Sequence, residues 1–429
     1  MFAGAAIFAV TATAPPALAE RVPLTARVSL DSADQQADGN SYHSAVSADG
    51  RFVAFVSSAT NLVPGDTNGR QDVFVRDRVL GTTERVSVSS AEVEATSDGV
   101  QPSISADGRF VAFASDASNL APADLTGHSD VFVRDRLRGA TARISLSRFG
   151  SDADDDSFAP AISADGRTVA FLSQATDLVA GDQNARTDVF VVSAATGSVE
   201  LASVGSGGPA DDDAFAPALS DDGRAMVWAS RATTLVPGSS GGLAQVYARD
   251  RSAGTTTLVS TGSAGTGDGE SGLNGLAVSA DGARVAFSSD AGNLVPGDGN
   301  GARDIFVRDI AAATTSLVSV HSSGAQGDID SGYIRLDISA DGRFVAFASA
   351  ASTLVDKDTN GFVDCFVHEL STGTTQRVSL NIRGRESARG GVDPALSADG
   401  RIVTFHSLAP NLVLGDSNRA LDVFVRVLA

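Results

Sequence analysis

The chain has 429 residues, of which 42% are hydrophobic and 20% are charged, and its formal net charge at pH 7 is −20. An acidic excess of this size excludes nucleic acids and anionic membrane surfaces as partners held by electrostatic attraction. Cys365 is the one cysteine, so the chain forms no internal disulfide.

The N-terminal residues predict an export signal. Residues 2–14 are apolar or small, Pro15 and Pro16 follow, and residues 17–19 read Ala-Leu-Ala, the small-x-small form of a cleavage site. We assign residues 1–19 to a signal peptide and residues 20–429 to a single domain, and we expect an exported protein, periplasmic or extracellular. No other segment approaches the roughly 20 apolar residues of a membrane helix, so no membrane span is predicted.

Seven copies of one phrase follow along the chain. Each reads Ser-Ala-Asp-Gly, except for one Ser-Asp-Asp-Gly, and the copies begin at Ser47, Ser105, Ser163, Ser220, Ser279, Ser339 and Ser397. Successive starts lie 58, 58, 57, 59, 60 and 58 residues apart. A period of this kind is typical of repeat architectures.

Each unit contains four short runs with strand character. In the first unit these are a run before Ser47 and residues 52–56, 72–75 and 85–88, separated by turn residues. Four antiparallel strands make one blade, and seven blades predict an all-β, seven-bladed β-propeller.

The two ends of the chain predict how the ring closes. The last unit stops after its third strand, at residues 422–425, whereas Arg-Val-Ser-Leu at residues 27–30 matches the fourth strand of the other units. The N-terminal strand is therefore predicted to complete the last blade.

The charged residues divide between the two faces of the predicted ring. The loops that enter each blade share a face with the loops between the second and third strands, and they carry Asp152, Asp154, Asp155, Asp156, Asp211, Asp212 and Asp213. The turns on the opposite face carry Arg51, Arg78, Arg109, Arg136, Arg138 and Arg167. We predict one acidic and one mixed, arginine-bearing face, with two merely solubilising rims as the open alternative.

The repeat phrase resembles that of TolB-type, WD-repeat-like propellers of exported bacterial proteins. Residues 105–113 match the pattern Ser-Pro-Asp-Gly-Lys/Arg followed by alternating apolar residues and a Phe, with Ala106 in the place of the proline. The resemblance spans all seven units, from about residue 27 to the end. It implies the propeller fold and a role in envelope complexes or as a partner domain, but no particular chemistry.

The loops between the second and third strands predict calcium sites. The sixth unit, Asp356, Asp358, Asn360 and Asp364, resembles the first nine positions of an EF-hand loop, which supplies the oxygen ligands that calcium prefers. Shorter versions occur at Asp66, Asn68 and Asp72, at Asp182, Asn184 and Asp188, at Asp298, Asn300 and Asp304, and at Asp416, Asn418 and Asp422. Ordinary turn chemistry of Asp and Asn is the open alternative.

Two units argue against metal in every blade. The second has Thr126 at the Asn position, and the loop of the fourth has no carboxylate. We therefore expect a partial set of sites or none.

No catalytic arrangement is recognised in the sequence. The five histidines occupy five different positions of the repeat, and no nucleophile elbow or phosphate loop is present. We predict a monomeric, non-enzymatic binding or scaffold protein with a protein or glycan partner outside the cytoplasm. A structural surface protein without a partner is an open alternative.

An enzymatic alternative is a carbohydrate-active lyase or hydrolase at the channel mouth, with Asp155 and Asp212 as candidate acid–base residues. A deep pocket where carboxylate, Arg and His side chains converge would favour it, and His43, placed in the loop that enters the first blade, is the residue singled out for inspection.

Overall fold

The structure is a computed structural model that describes residues 25–122, 126–182, 184–194, 196–239 and 241–428. The predicted signal peptide lies outside these residues. The described residues form seven four-stranded antiparallel sheets arranged as the blades of a ring, which confirms the seven-bladed β-propeller. No helix in these parts of the chain is long and apolar enough to cross a membrane.

The strands are numbered in chain order. Blade 1 contains β2 (Ser41–Val46), β3 (Phe52–Ser57), β4 (Asp72–Asp77) and β5 (Thr82–Arg85). Blade 2 contains β6 (Gly99–Ile104), β7 (Phe110–Ser115), β8 (Asp130–Asp135) and β9 (Ala140–Arg143). Blade 3 contains β10 (Ser157–Ile162), β11 (Thr168–Ser173), β12 (Asp188–Ser193) and β13 (Val199–Leu201). The short hairpin β14 (Val204–Gly205) and β15 (Gly208–Pro209) follows.

The second half of the ring repeats this plan. Blade 4 contains β16 (Ala214–Leu219), β17 (Ala225–Ser230), β18 (Gln245–Asp250) and β19 (Thr255–Leu258), followed by the hairpin β20 (Thr261–Gly262) and β21 (Gly265–Thr266). Blade 5 contains β22 (Ser271–Val278), β23 (Arg284–Ser289), β24 (Asp304–Asp309) and β25 (Thr314–Leu317). Blade 6 contains β26 (Ser331–Ile338), β27 (Phe344–Ser349), β28 (Asp364–Glu369) and β29 (Thr374–Arg377). Blade 7 contains β30 (Val392–Leu396), β31 (Ile402–Ser407), β32 (Asp422–Val427) and β1 (Thr25–Arg27).

The predicted closure of the ring is confirmed. Strand β1 pairs antiparallel with β32, with Thr25 opposite Arg426 and Arg27 opposite Phe424. N- and C-terminal segments therefore share one sheet.

The fourth strands end earlier than predicted. Strand β5 stops at Arg85, and Val86 to Val88 do not belong to it, although the backbone N–H of Val86 still donates to Val73 (2.8 Å). The cause is a side chain, because the Ser87 hydroxyl accepts from the Val73 N–H (3.0 Å) and donates to Asp72. The chain then turns away, and Val88 forms an isolated bridge to Glu94.

The repeat phrase folds the turn between the first and second strands. The Ser47 hydroxyl donates to Asp49 (2.7 Å) and accepts from the Phe52 N–H (2.9 Å). Asp49 also accepts from the Arg51 N–H (2.9 Å), and Gly50 has a φ of 72°, which a glycine adopts without strain. Ser47, Asp49 and Gly50 thus each stabilise this turn.

The second residue of the phrase joins each blade to the next. The backbone N–H of Ala48 donates to the carbonyl of Ala106 (3.0 Å), and the same bond continues around the ring until Ala398 donates back to Ala48 (3.0 Å). The participating residues are Ala48, Ala106, Ala164, Asp221, Ala280, Ala340 and Ala398. A proline has no N–H to donate, which explains the alanine in place of the proline of the related phrase.

Aromatic pairs fill the centre of every blade. One ring comes from the second strand and its partner from the third, with centroids 5.7–6.0 Å apart. Both faces of these strands are buried, as in β4, because each sheet packs between two neighbours.

We predict that Phe113→Ala destabilises the protein by about 3–5 kcal/mol, because it removes a fully buried ring that stacks on Phe132. Thermal unfolding should show a melting temperature about 4–6 °C lower. Phe149→Ala is the matched control, since this ring is 76% exposed. Equal melting temperatures for Phe113→Ala and the wild type would contradict this packing.

Candidate functional site

The first strands of all seven blades surround a central channel. Its mouth on the acidic face is a cavity of about 380 Å³, lined mainly by Ala, Pro, Leu and Ile side chains. A smaller cavity of about 170 Å³ lies at the other end, bounded by the alanine ring. The channel therefore narrows from the acidic face toward the arginine-bearing face.

A backbone irregularity shapes the mouth. Each first strand contains a register shift against the second strand. At this shift a residue with positive φ faces the mouth, namely His43, Gln101, Ala159, Ala216, Gly275, Ile334 and Asp393. Non-glycine residues are uncommon in this conformation and cluster at functional sites.

Polar side chains from three neighbouring blades converge on one side of the mouth. His43 comes from blade 1 and Asp393 from blade 7, while Arg335 of blade 6 reaches past blade 7 to donate to the Ser44 carbonyl (3.2 Å). Asp337 lies beside them, and burial raises the pKa of its carboxyl group. The mouth thus combines a guanidinium, an imidazole and two carboxyl groups.

Asp393 and His406 form a buried pair at the wall of the mouth. They are 1% and 6% exposed, and Asp393 Oδ2 lies 3.6 Å from His406 Nδ1. In the part of the chain that the structure describes, neither carboxylate oxygen nor this nitrogen has a hydrogen-bond partner. Burial lowers the pKa of His406, which favours the neutral imidazole. Its ring stacks on that of His43, with centroids 6.3 Å apart.

The candidate acid–base pair does not lie in the mouth. Neither Asp155 nor Asp212 lines the cavity. Asp212 lies 3.5 Å from the Arg186 guanidinium, and Asp155 lies 3.8 Å from His128 Nδ1. Both carboxylates therefore belong to the outer part of the acidic face.

The side-chain amides of the asparagines in the predicted calcium loops are hydrogen-bonded to other groups of the protein. Asn68 Nδ2 donates to Asp72 (3.1 Å) and to the Ala95 carbonyl (3.0 Å), while its Oδ1 accepts from the Arg70 N–H (2.8 Å). The equivalent asparagines form the same bonds to the loop aspartate, namely Asn184, Asn300, Asn360 and Asn418. The turn chemistry considered as the alternative is present in all five loops.

An arginine lies among the carboxylates of blade 1. Arg85 Nη1 is 3.2 Å from Asp66, 3.2 Å from Asp72 and 3.0 Å from Glu94. Burial, followed by the charge of Asp72, raises the pKa of Asp66 to about 6. The guanidinium is thus the internal cation of this loop.

The same position holds Arg143 in blade 2, Arg377 in blade 6 and Arg27 in blade 7, each paired with the carboxylates of its own blade. These four side chains are only 4–9% exposed. Sequence reasoning missed this cluster, although the recurrence of Arg in four units was a visible signal.

The sixth loop does not bring all its predicted ligands together. Asp358, Asp364 and Glu386 lie within 4.8 Å of one another, with Arg377 Nη1 3.1 Å from Asp358. Asp356 is 95% exposed and lies 3.8 Å from His321 instead. The EF-hand-like spacing therefore places its first carboxylate outside the cluster.

Three blades have leucine in place of the arginine, at Leu201, Leu258 and Leu317. The loop between the second and third strands of blade 4 has no carboxylate in its sequence, with Gln245 at the start of the third strand and Ser239 hydrogen-bonded to the Tyr247 hydroxyl (2.8 Å). Blades 3 and 5 keep their carboxylates. Burial raises the pKa values of Asp188 and Asp304 to about 6.

No family model and no curated protein matches this chain, whereas many solved structures do. An oligogalacturonate lyase in complex with manganese has a TM-score of 0.54 and 10% identity, and the match covers 91% of this chain and 90% of that one. TolB from Acinetobacter baumannii has a TM-score of 0.40 and 14% identity, covering 79% of this chain and 63% of that one. A putative TolB from Agrobacterium tumefaciens has a TM-score of 0.42 and 14% identity, covering 81% and 94%.

This chain therefore spans less than two thirds of the Acinetobacter TolB. At such identities the likeness to the lyase shows the fold alone. The seven-bladed fold of the described residues is the propeller fold that the resemblance to TolB-type repeats implied.

We predict that Arg85→Ala costs about 3–5 kcal/mol of stability at pH 8, because it leaves the buried carboxylates of Asp66 and Asp72 without their cation. The loss should shrink toward pH 5. Removing the guanidinium raises the pKa of Asp66 further above its unfolded value, so the variant's folded state gains protons as the pH falls.

Chemical denaturation at both pH values measures this difference. Arg70→Ala, in the exposed part of the same loop, is the control and should change little. A loss independent of pH would show that Arg85 acts through packing alone.

Proposed function

We propose that this protein is an exported, non-enzymatic binding protein that takes the end of a glycan chain in the mouth of its channel. The observation that carries the proposal is the convergence of His43 and Arg335 in a mouth otherwise lined largely by apolar residues, beside the buried pair of Asp393 and His406. The fold does not require them, because blades 3, 4 and 5 place Ala159, Ala216 and Gly275 at the matching positions. The calcium predicted for the loops between the second and third strands, here called the rim loops, is a separate proposal, since those loops do not line the mouth.

The chemistry of the mouth suits a sugar. Sugar hydroxyl groups accept hydrogen bonds from guanidinium and imidazole groups, while sugar C–H faces pack on apolar walls. Pro102, Pro160 and Pro217 line the wall. A volume of about 380 Å³ is within the usual range for a small-molecule site.

The charge around the mouth favours a neutral or cationic glycan. The residue just before the first strand is acidic in five blades, at Asp98, Asp156, Asp213, Glu270 and Asp330, and each accepts a backbone N–H of the preceding blade. These carboxylates repel a polyanion before it reaches the mouth.

A second candidate function is glycan cleavage at the same place. Carboxyl, Arg and His side chains do converge in one pocket, which is the feature that favours the enzymatic alternative. A lyase acting on oligogalacturonate has the same overall fold. Turnover of a bound sugar distinguishes this candidate from binding alone.

We predict that neutral oligosaccharides bind the wild type and that His43→Ala and Arg335→Ala weaken binding about 10- to 100-fold, because each removes a hydrogen bond or a charged contact. Calorimetric titration with soluble glucan, chitin and galacturonate oligomers measures the affinities. His321→Ala and Arg167→Ala are matched controls that lie outside the channel and should bind as the wild type does.

Absence of binding to every oligomer, or equal binding by the channel variants and the controls, would contradict the proposal. New reducing ends or unsaturated products in the titrated mixture would establish the cleavage candidate instead.

A further inference from the structure

The seven rim loops are seven copies of one arrangement, so a blade that departs from it can be compared with the others residue by residue. Four blades balance their buried carboxylates with an arginine, and blade 4 has neither the arginine nor the carboxylates. Blade 3 keeps the carboxylates of Asp182 and Asp188 but has Leu201 at the arginine position. We propose that blade 3 binds a calcium ion where blades 1, 2, 6 and 7 hold a guanidinium.

The arginine position is defined by hydrogen-bonding register. Arg85 lies opposite Phe74, Arg143 opposite Phe132 and Arg377 opposite Phe366. Leu201 lies opposite Phe190 in the same register. The leucine therefore removes a positive charge from a place where four other blades have one.

The carboxylates of blade 3 are buried and incompletely paired. Asp182 is only 7% exposed, and its Oδ1 has no hydrogen-bond partner among the described residues. Asp188 is fully buried; its Oδ1 accepts from the Ser203 hydroxyl (2.5 Å) and its Oδ2 from Asn184 Nδ2 (2.6 Å), without the additional arginine of blade 1. A buried negative charge is costly unless a cation balances it.

The equivalent blade 1 carboxylates show where a cation sits in this arrangement. Asp66 and Asp72 both lie 3.2 Å from one atom, Arg85 Nη1. Asp182 and Asp188 have the same six-residue spacing before and at the start of the third strand, so the repeat places them beside the same cation position. The loop of blade 4 shows how the repeat avoids this cost when it loses the arginine, because there Gln245 replaces the aspartate and the Tyr247 hydroxyl satisfies Ser239.

The available ligands select a hard divalent cation. All are oxygens, from the carboxylates of Asp182 and Asp188, since Asn184 is already bonded to the protein at both ends of its amide. In blades 1 and 6 the arginine also donates to a backbone carbonyl, of Gly65 (3.4 Å) and of Lys357 (3.3 Å), and Gly181 is the matching residue in blade 3. Calcium accepts such a set and completes its six to eight ligands with water.

Calcium titration of the chelator-stripped full chain tests the proposal. We expect a dissociation constant of about 10⁻⁴–10⁻³ M, as in extracellular modules, and a rise in melting temperature of about 2–3 °C at 10 mM calcium. Leu201→Arg supplies the guanidinium within the chain and should lower the number of bound calcium ions by one. Leu201→Met is the matched control and should keep the wild-type number.

Blade 5 does not affect this comparison. It also combines a leucine, Leu317, with carboxylates, at Asp298 and Asp304, but Leu201→Arg changes the count for blade 3 alone. Asp182→Asn provides a second test should Leu201→Arg fold poorly, and it should weaken the blade 3 site at least tenfold. Absence of calcium binding by the wild type would overturn the proposal. So would a wild-type number of bound ions in Leu201→Arg together with a wild-type calcium affinity in Asp182→Asn.

Discussion

The closed ring of backbone hydrogen bonds at the narrow end of the channel is the interaction on which the rest of this structure depends. It joins each blade to the next through the second residue of the repeat phrase, over distances of 2.9–3.2 Å. Because the ring closes, and because β1 completes blade 7, every blade has two neighbours and every sheet is buried on both faces. The described residues therefore form one closed ring of blades without one large core.

The architecture could be predicted from the sequence because it depends on features that recur. The phrase fixes a turn, the apolar runs fix strands, and the match between residues 27–30 and 85–88 predicts the closure. The bounds of the fourth strand could not be predicted in the same way. They depend on the bond between the Ser87 hydroxyl and Asp72, a side-chain interaction that ends the strand where the apolar pattern continues.

The candidate sites were less predictable, because they depend on distances between residues far apart in the chain. Asp356 has the correct spacing for a calcium loop, yet it is directed away from Asp358 and Asp364. Arg335 gave no motif, yet it reaches past a neighbouring blade into the channel mouth. His43 could be singled out from the sequence, but it lies in strand β2 rather than in the loop before it, and its proximity to His406 could not be predicted.

Both proposed binding sites in this ring lie at positions where the residues of a blade differ from those at the equivalent positions of other blades. In the channel mouth the departures are polar residues on one side, and in the rim loops they are carboxylates without an arginine. An anomalous difference map from crystals soaked in calcium tests this principle most directly. We expect a peak between Asp182 and Asp188 and none beside Arg85, Arg143, Arg377 or Arg27. Peaks beside these arginines, or no peak in blade 3, would contradict this expectation.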